Sequence, residues 1–170
     1  LEVDEIVTTF HSCIKAIKEV NPASELVFTV SPVRHIKDGL WENNLSKAVL
    51  HLAVKELTEK FDNCSYFPAY EIVMDELRDY RFFKDDLVHP TDLAVNYVWE
   101  KFAMSYFSKE TIALMGNIQK IKQAAMHKPF DFNSEKHQAF IQKQLVIIQE
   151  LVTQFPQLNF EEEKEMLIKN

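Results

Sequence analysis

Two short apolar runs constrain this chain most. The first, Leu26-Val27-Phe28-Thr29-Val30, is rich in β-branched and aromatic residues; the second runs from Cys64 to Tyr70, with Pro68 near its end. Each is too short for a helix and reads as a buried strand. Both lie between longer helical patterns. Val3, Ile6, Phe10, Cys13, Ile17 and Val20 recur at helical spacing and stop at Asn21-Pro22. From Leu45 to Phe61, Val49, Leu50, Leu52, Ala53, Val54 and Leu57 form a face wide enough to pack flat on a sheet, with Asn43, Asn44 or Ser46 as caps. A third helical pattern follows Pro90. Helix, strand, helix, strand, helix is the order of right-handed parallel crossovers, which makes the fold class α/β. Two strands alone do not make a stable parallel sheet. The pattern therefore predicts neighbours for them, either in a missing N-terminal segment or in a second copy that would make a homodimer.

Beyond Phe107 the pattern is wholly helical, so residues 1–107 are expected as an α/β domain and 108–170 as a helical extension. Leu114, Ile118, Ile121 and Ala125 form one stripe. After Pro129, Asn133 or Ser134 is placed to cap a helix carrying Ile141, Leu145, Ile148, Val152 and Phe155, which Pro156 stops. A last helix, Phe160 to Ile168, opens on Glu161-Glu162-Glu163. These acids suit the positive end of a helix and are read as a solvated start, not a cation site.

Charge and composition exclude several functions. A net charge of −7 argues against a nucleic-acid surface, which needs a basic stripe. No apolar run approaches the roughly 20 residues that span a bilayer. Cys13 and Cys64 lie in no metal-ligand spacing and are expected as buried free thiols, which makes a reducing, cytoplasmic setting the default. Gly39 and Gly116 are the only glycines, and there is no G-x-G-x-x-G, Walker or G-x-S-x-G sequence. No cofactor and no metal are predicted.

The chemistry concentrates in Asp86-Leu87-Val88-His89-Pro90-Thr91. Proline favours the first helical position, which would make His89 the N-cap or its neighbour. The helix's positive end would then favour the neutral imidazole that a general base needs. Asp86, three residues earlier, is placed to accept a hydrogen bond from the ring and fix its tautomer. Asp85 and Asp92 compete for that part, and spacing alone does not choose. The bland reading is that His89 only caps its helix. Glu71, Asp75, Glu76, Arg78 and Asp79 read as salt bridges holding the acidic loop, and His11, His51, His127 and His137 as surface or packing residues.

Three segments carry a resemblance: T-V-S-P-V-R-H-I-K-D-G-L-W-E-N-N-L-S-K-A from Thr29 to Ala48, Y-F-P-A-Y-E-I-V-M-D-E-L-R-D-Y-R-F from Tyr66 to Phe82, and D-L-V-H-P-T from Asp86 to Thr91. They are similar to the GSCFA-domain family, within the SGNH (GDSL-like) hydrolases, and the tail after Phe107 resembles that family's C-terminal extension. The resemblance implies the C-terminal part of a flavodoxin-like α/β/α sandwich with few parallel strands, followed by an all-helical extension. It implies an esterase or acyl hydrolase acting on an ester or an acylated sugar or lipid. Asp86 and His89 match the family's acid and base. Arg34 and His35, in the loop after the fourth strand, are expected to contact a substrate anion or acyl oxygen, or to hold that loop by local hydrogen bonds. The G-S-C-F-A or G-D-S nucleophile segment and the glycine- and asparagine-bearing middle block are absent. The chain is therefore expected to be a C-terminal fragment, inactive alone, whose serine comes from elsewhere. The alternative is a non-catalytic helical binding or assembly domain.

Overall fold

α1 (Val3–Val20) forms over the helical pattern, but its buried residues are Val7 and Ile14, while Phe10, Ile17 and Val20 of the stripe read from the sequence are exposed. Glu5 Oε2 fixes its start by accepting the Glu2 backbone N–H at 2.8 Å. Asp4 and Glu5 in its first turn and Lys18 in its last complement the helix dipole. Val7 and Ile14 pack with Ala53 and Leu57 of α2 (Leu40–Lys60) and with Cys64, giving the first core cluster. Full burial of a side chain such as Leu57 stabilises by about 1.5–3 kcal/mol. β1 (Leu26–Phe28) and β2 (Cys64–Tyr66) pair in parallel, Leu26 opposite Cys64 and Phe28 opposite Tyr66. This computed structural model describes residues 2–127, 129 and 134–169. It is mostly helical with a small two-stranded parallel sheet, compatible with an α/β fold.

The strands are three residues each, shorter than the sequence suggests. After Tyr66 the Phe67 N–H still donates to the Phe28 carbonyl at 2.8 Å, but Pro68 has no N–H to continue the ladder. The chain turns at once into α3 (Ala69–Glu71), which widens into a π-turn over Ile72–Glu76. Phe67, Ala69 and Ile72 pack there against Tyr97, Val98 and Phe102 of α4 (Asp92–Tyr106).

Capping of α2 also differs. The helix begins at Leu40 after Gly39, whose φ of +97° suits a residue without Cβ. Asn43, Asn44 and Ser46 therefore lie inside α2 and cap nothing. Nor is the wide apolar face of α2 fully covered. α1 and β2 bury the stripe at Ala53 and Leu57 and leave Leu45, Leu50 and Leu52 exposed. Both cysteines are free, but only Cys64 is buried. Cys13 is exposed because it sits one position, about 100°, round α1 from the buried Ile14.

Two compact units result, Leu1–Ser105 and Tyr106–Asn170. The second holds α5 (Lys109–Met126), α6 (Glu135–Gln154) and α7 (Glu161–Lys169). Ser108 caps α5 by accepting the Thr111 N–H at 3.1 Å, and Ser134 caps α6 through the His137 N–H at 3.4 Å. Asn133, the other capping candidate, lies outside the described residues. Ile121, Ala125, Ile141, Ile148, Leu151, Phe160 and Leu167 form this unit's core, with Leu114, Ile118, Leu145, Val152 and Phe155 packed on it. The stripes read from the sequence are thus the ones buried. Among the described residues, no helix is long and apolar enough to cross a membrane.

Candidate active site

The loop bearing Asp86 and His89 is a closed structure. A 3₁₀ turn, Tyr80–Phe82, leads in, capped by Asp79 Oδ1 accepting the Arg81 N–H at 2.9 Å. The Phe82 carbonyl then accepts the Thr91 N–H, the His89 carbonyl accepts the Lys84 N–H, each at 2.8 Å, and Phe83 bridges Pro90 in antiparallel fashion. Inside this closure Leu87 takes φ +56°, the left-handed region that a branched side chain disfavours.

That turn folds the chain around one carboxylate. Asp86 Oδ1 accepts the Val88 N–H at 2.9 Å and the His89 N–H at 3.0 Å, while Oδ2 lies 2.7 Å from His89 Nδ1. The His89 backbone N–H, then its ring, then the Val88 N–H hold the Asp86 carboxyl well below the usual carboxylate range. A carboxylate only accepts hydrogen bonds, so Nδ1 carries the shared proton. In the neutral ring this leaves the lone pair on Nε2, on a side chain 58% exposed and without a hydrogen-bond partner at Nε2 among the described residues. An oriented neutral imidazole with Nε2 open can take a proton from a hydroxyl brought to it.

Of the three aspartates in competition, Asp86 alone bonds the ring. Pro90 is not at the first helical position: α4 starts at Asp92, and Thr91 accepts the Ala94 N–H on Oγ1 at 3.4 Å and the Val95 N–H on its carbonyl at 2.9 Å. The bridge to Phe83 holds Pro90 outside the helix. His89 is therefore oriented by Asp86, not by a helix start.

Arg34 reaches this loop from the segment after β1. Its Nη1 donates to the Leu87 carbonyl at 2.8 Å, its backbone N–H to the Val88 carbonyl at 3.4 Å, and its guanidinium carbon sits 4.6 Å from the Phe83 ring centroid. His35 is not brought to the pair. Its backbone N–H donates to Asn43 Oδ1 at 2.8 Å, and its ring lies 3.4 Å from Asp38. Two open clefts of ≈ 220 and ≈ 270 Å³ adjoin at Arg34, Met74 and Tyr80, and neither is lined by Asp86 or His89.

The charges before the site pair in ways the sequence does not announce. Glu71 accepts the Tyr66 hydroxyl at 2.7 Å and lies 3.6 Å from His51, so His51 has a partner after all. Burial, then Glu71, pushes the Tyr66 phenol up. Glu76 bonds Lys101 at 3.1 Å and accepts the Tyr97 hydroxyl, which holds its carboxyl low and ties the π-turn to α4. Arg78 pairs with Asp75 and Arg81 with Asp79. None of these bridges holds Asp85 or Asp86. His11 packs on Phe61, and His127 and His137 on Phe140, as packing residues. Among the described residues, no three His, Cys, Asp or Glu side chains are grouped to hold a metal ion.

Comparison with protein families finds two matches: the GSCFA family over residues 1–102, and the GSCFA domain protein, C-terminal domain, over residues 118–169. No curated protein and no solved structure matches the chain.

Proposed function

The chain belongs to the GSCFA family, and from that membership we propose that it supplies the acid and base of an SGNH-type serine ester or acyl hydrolase. In this reading β1 and β2 are the last two strands of an α/β/α sandwich. His89 Nε2 takes the proton of an attacking serine, and Asp86 holds the ring and stabilises the imidazolium that forms. General-base assistance of this kind contributes about 10²–10⁴-fold. The observation that carries the reading is the Asp86–His89 pair: one carboxylate oxygen held by two backbone N–H groups, the other on Nδ1, and Nε2 open.

In this reading the serine lies in chain upstream of Leu1, because these 170 residues, and hence any second copy of them, hold no G-S-C-F-A or G-D-S segment. The same addition would give β1 its second neighbour. The substrate class is an ester or an acylated sugar or lipid, and two unpaired thiols suit a reducing, cytoplasmic setting. In the full-length protein, His89→Ala is expected to abolish labelling by a fluorophosphonate probe. Undiminished labelling would sink the assignment.

A further inference from the structure

Two peptide units hold Asp86, and both are gripped from behind by one residue. The Leu87–Val88 peptide sends its N–H to Asp86 Oδ1 at 2.9 Å and its carbonyl to Arg34 Nη1 at 2.8 Å. The Val88–His89 peptide sends its N–H to the same oxygen at 3.0 Å and its carbonyl to the Arg34 backbone N–H at 3.4 Å. In a trans peptide the N–H and C=O point in opposite directions, so holding one end aims the other. Both peptides are trans, as are all the described peptide bonds.

From this geometry we infer that Arg34 is a positioning residue: it aims both peptide N–H groups at Asp86 and so keeps Asp86 in register with His89. Three features support the role. Leu87 at φ +56° is a conformation its side chain resists, so the loop needs restraint from outside itself. The Phe83 ring beneath the guanidinium fixes where Nη1 sits. Phe83 in turn bridges Pro90, the residue after His89, so the clamp and the imidazole share one framework. Arg34 touches neither reacting atoms nor the ring. It acts through Asp86.

The value of this clamp to catalysis rests on His89 acting as the base, but the clamp itself can be tested without substrate. The readout is the tautomer of the neutral His89 ring, followed by long-range ¹H–¹⁵N correlation on this chain. Wild type is expected as the Nδ1–H form, because Asp86 accepts that proton. Arg34→Ala removes the side-chain grip on the Leu87 carbonyl and keeps the backbone one on Val88. It should shift the ring measurably toward Nε2–H, the form Asp86→Asn should give in full. Arg34→Lys, which keeps one donor for the Leu87 carbonyl, should restore it in part. If Arg34→Ala disturbs the amide spectrum of α1 and α2, Phe83→Leu decides on the same readout, since it removes only the seat of the guanidinium. Retention of the wild-type tautomer in a folded Arg34→Ala, or in Phe83→Leu where that variant decides, overturns the inference. A protein that passes this test and still labels with a fluorophosphonate after His89→Ala would refute the hydrolase reading and leave the clamp standing.

Discussion

Asn43 Oδ1 accepts the His35 backbone N–H at 2.8 Å, linking the first turn of α2 to the segment that carries Arg34. Asn43 is only 6% exposed, a polar residue buried inside a helix start. Its amide also donates to Asn44 Oδ1 at 3.4 Å. The bond fixes the chain one residue after Arg34.

Asn43→Ala strands the His35 N–H and is expected to cost about 1–3 kcal/mol. Urea denaturation of this chain measures it. A loss within the roughly 0.5 kcal/mol typical of surface changes would show that the bond is replaced by water.

The Asp86 carboxyl is held below its unfolded value of about 3.9 by the His89 and Val88 N–H groups and the His89 ring. A depressed carboxyl contributes stability that is present above the unfolded value and lost as pH falls through the folded one. The stability gap between wild type and Asp86→Asn should therefore narrow as pH is lowered from about 5 toward about 3. Urea midpoints across that range read the effect directly. A gap that stays constant would place the Asp86 bonds outside the folded state's stability.

Leu87 is exposed and left-handed, so its side chain adds little packing while its backbone is strained. Leu87→Gly removes strain of about 1–2 kcal/mol, offset in part by the freedom glycine regains on unfolding. It should be neutral or stabilising by up to about 1 kcal/mol. Leu87→Val, branched at Cβ, should instead destabilise by about 1–3 kcal/mol. Equal effects of the two substitutions on the denaturation midpoint would contradict the strain assignment.

Much of this arrangement was legible in local sequence. Helical periodicity located the stripes of α5 and α6, because a 3.6-residue repeat decides which side chains share a face before anything packs on it. In α1 it found the helix but not its buried face, which centres on Val7 and Ile14 while Phe10, Ile17 and Val20 of the stripe are exposed. His89 and the aspartates around it were visible too, but spacing left Asp85, Asp86 and Asp92 open as partners of its ring, and the choice of Asp86 came from the family resemblance. Cys13 and the caps of α2 were misread where a single position of helical phase, or a glycine's left-handed backbone, changed the outcome.

The sequence by itself determined the long helices, their order, the parallel pairing of two short strands and the set of candidates around His89. Only the tertiary structure put Asp86, and not Asp85 or Asp92, on the ring, gave His51 to Glu71, and joined Glu76 to Lys101 across the π-turn. It alone brought Arg34 to Leu87, 53 positions away. Such bonds depend on where packed elements deliver their ends. Local propensity sets the form of each element, but the meeting of distant backbone groups follows from packing.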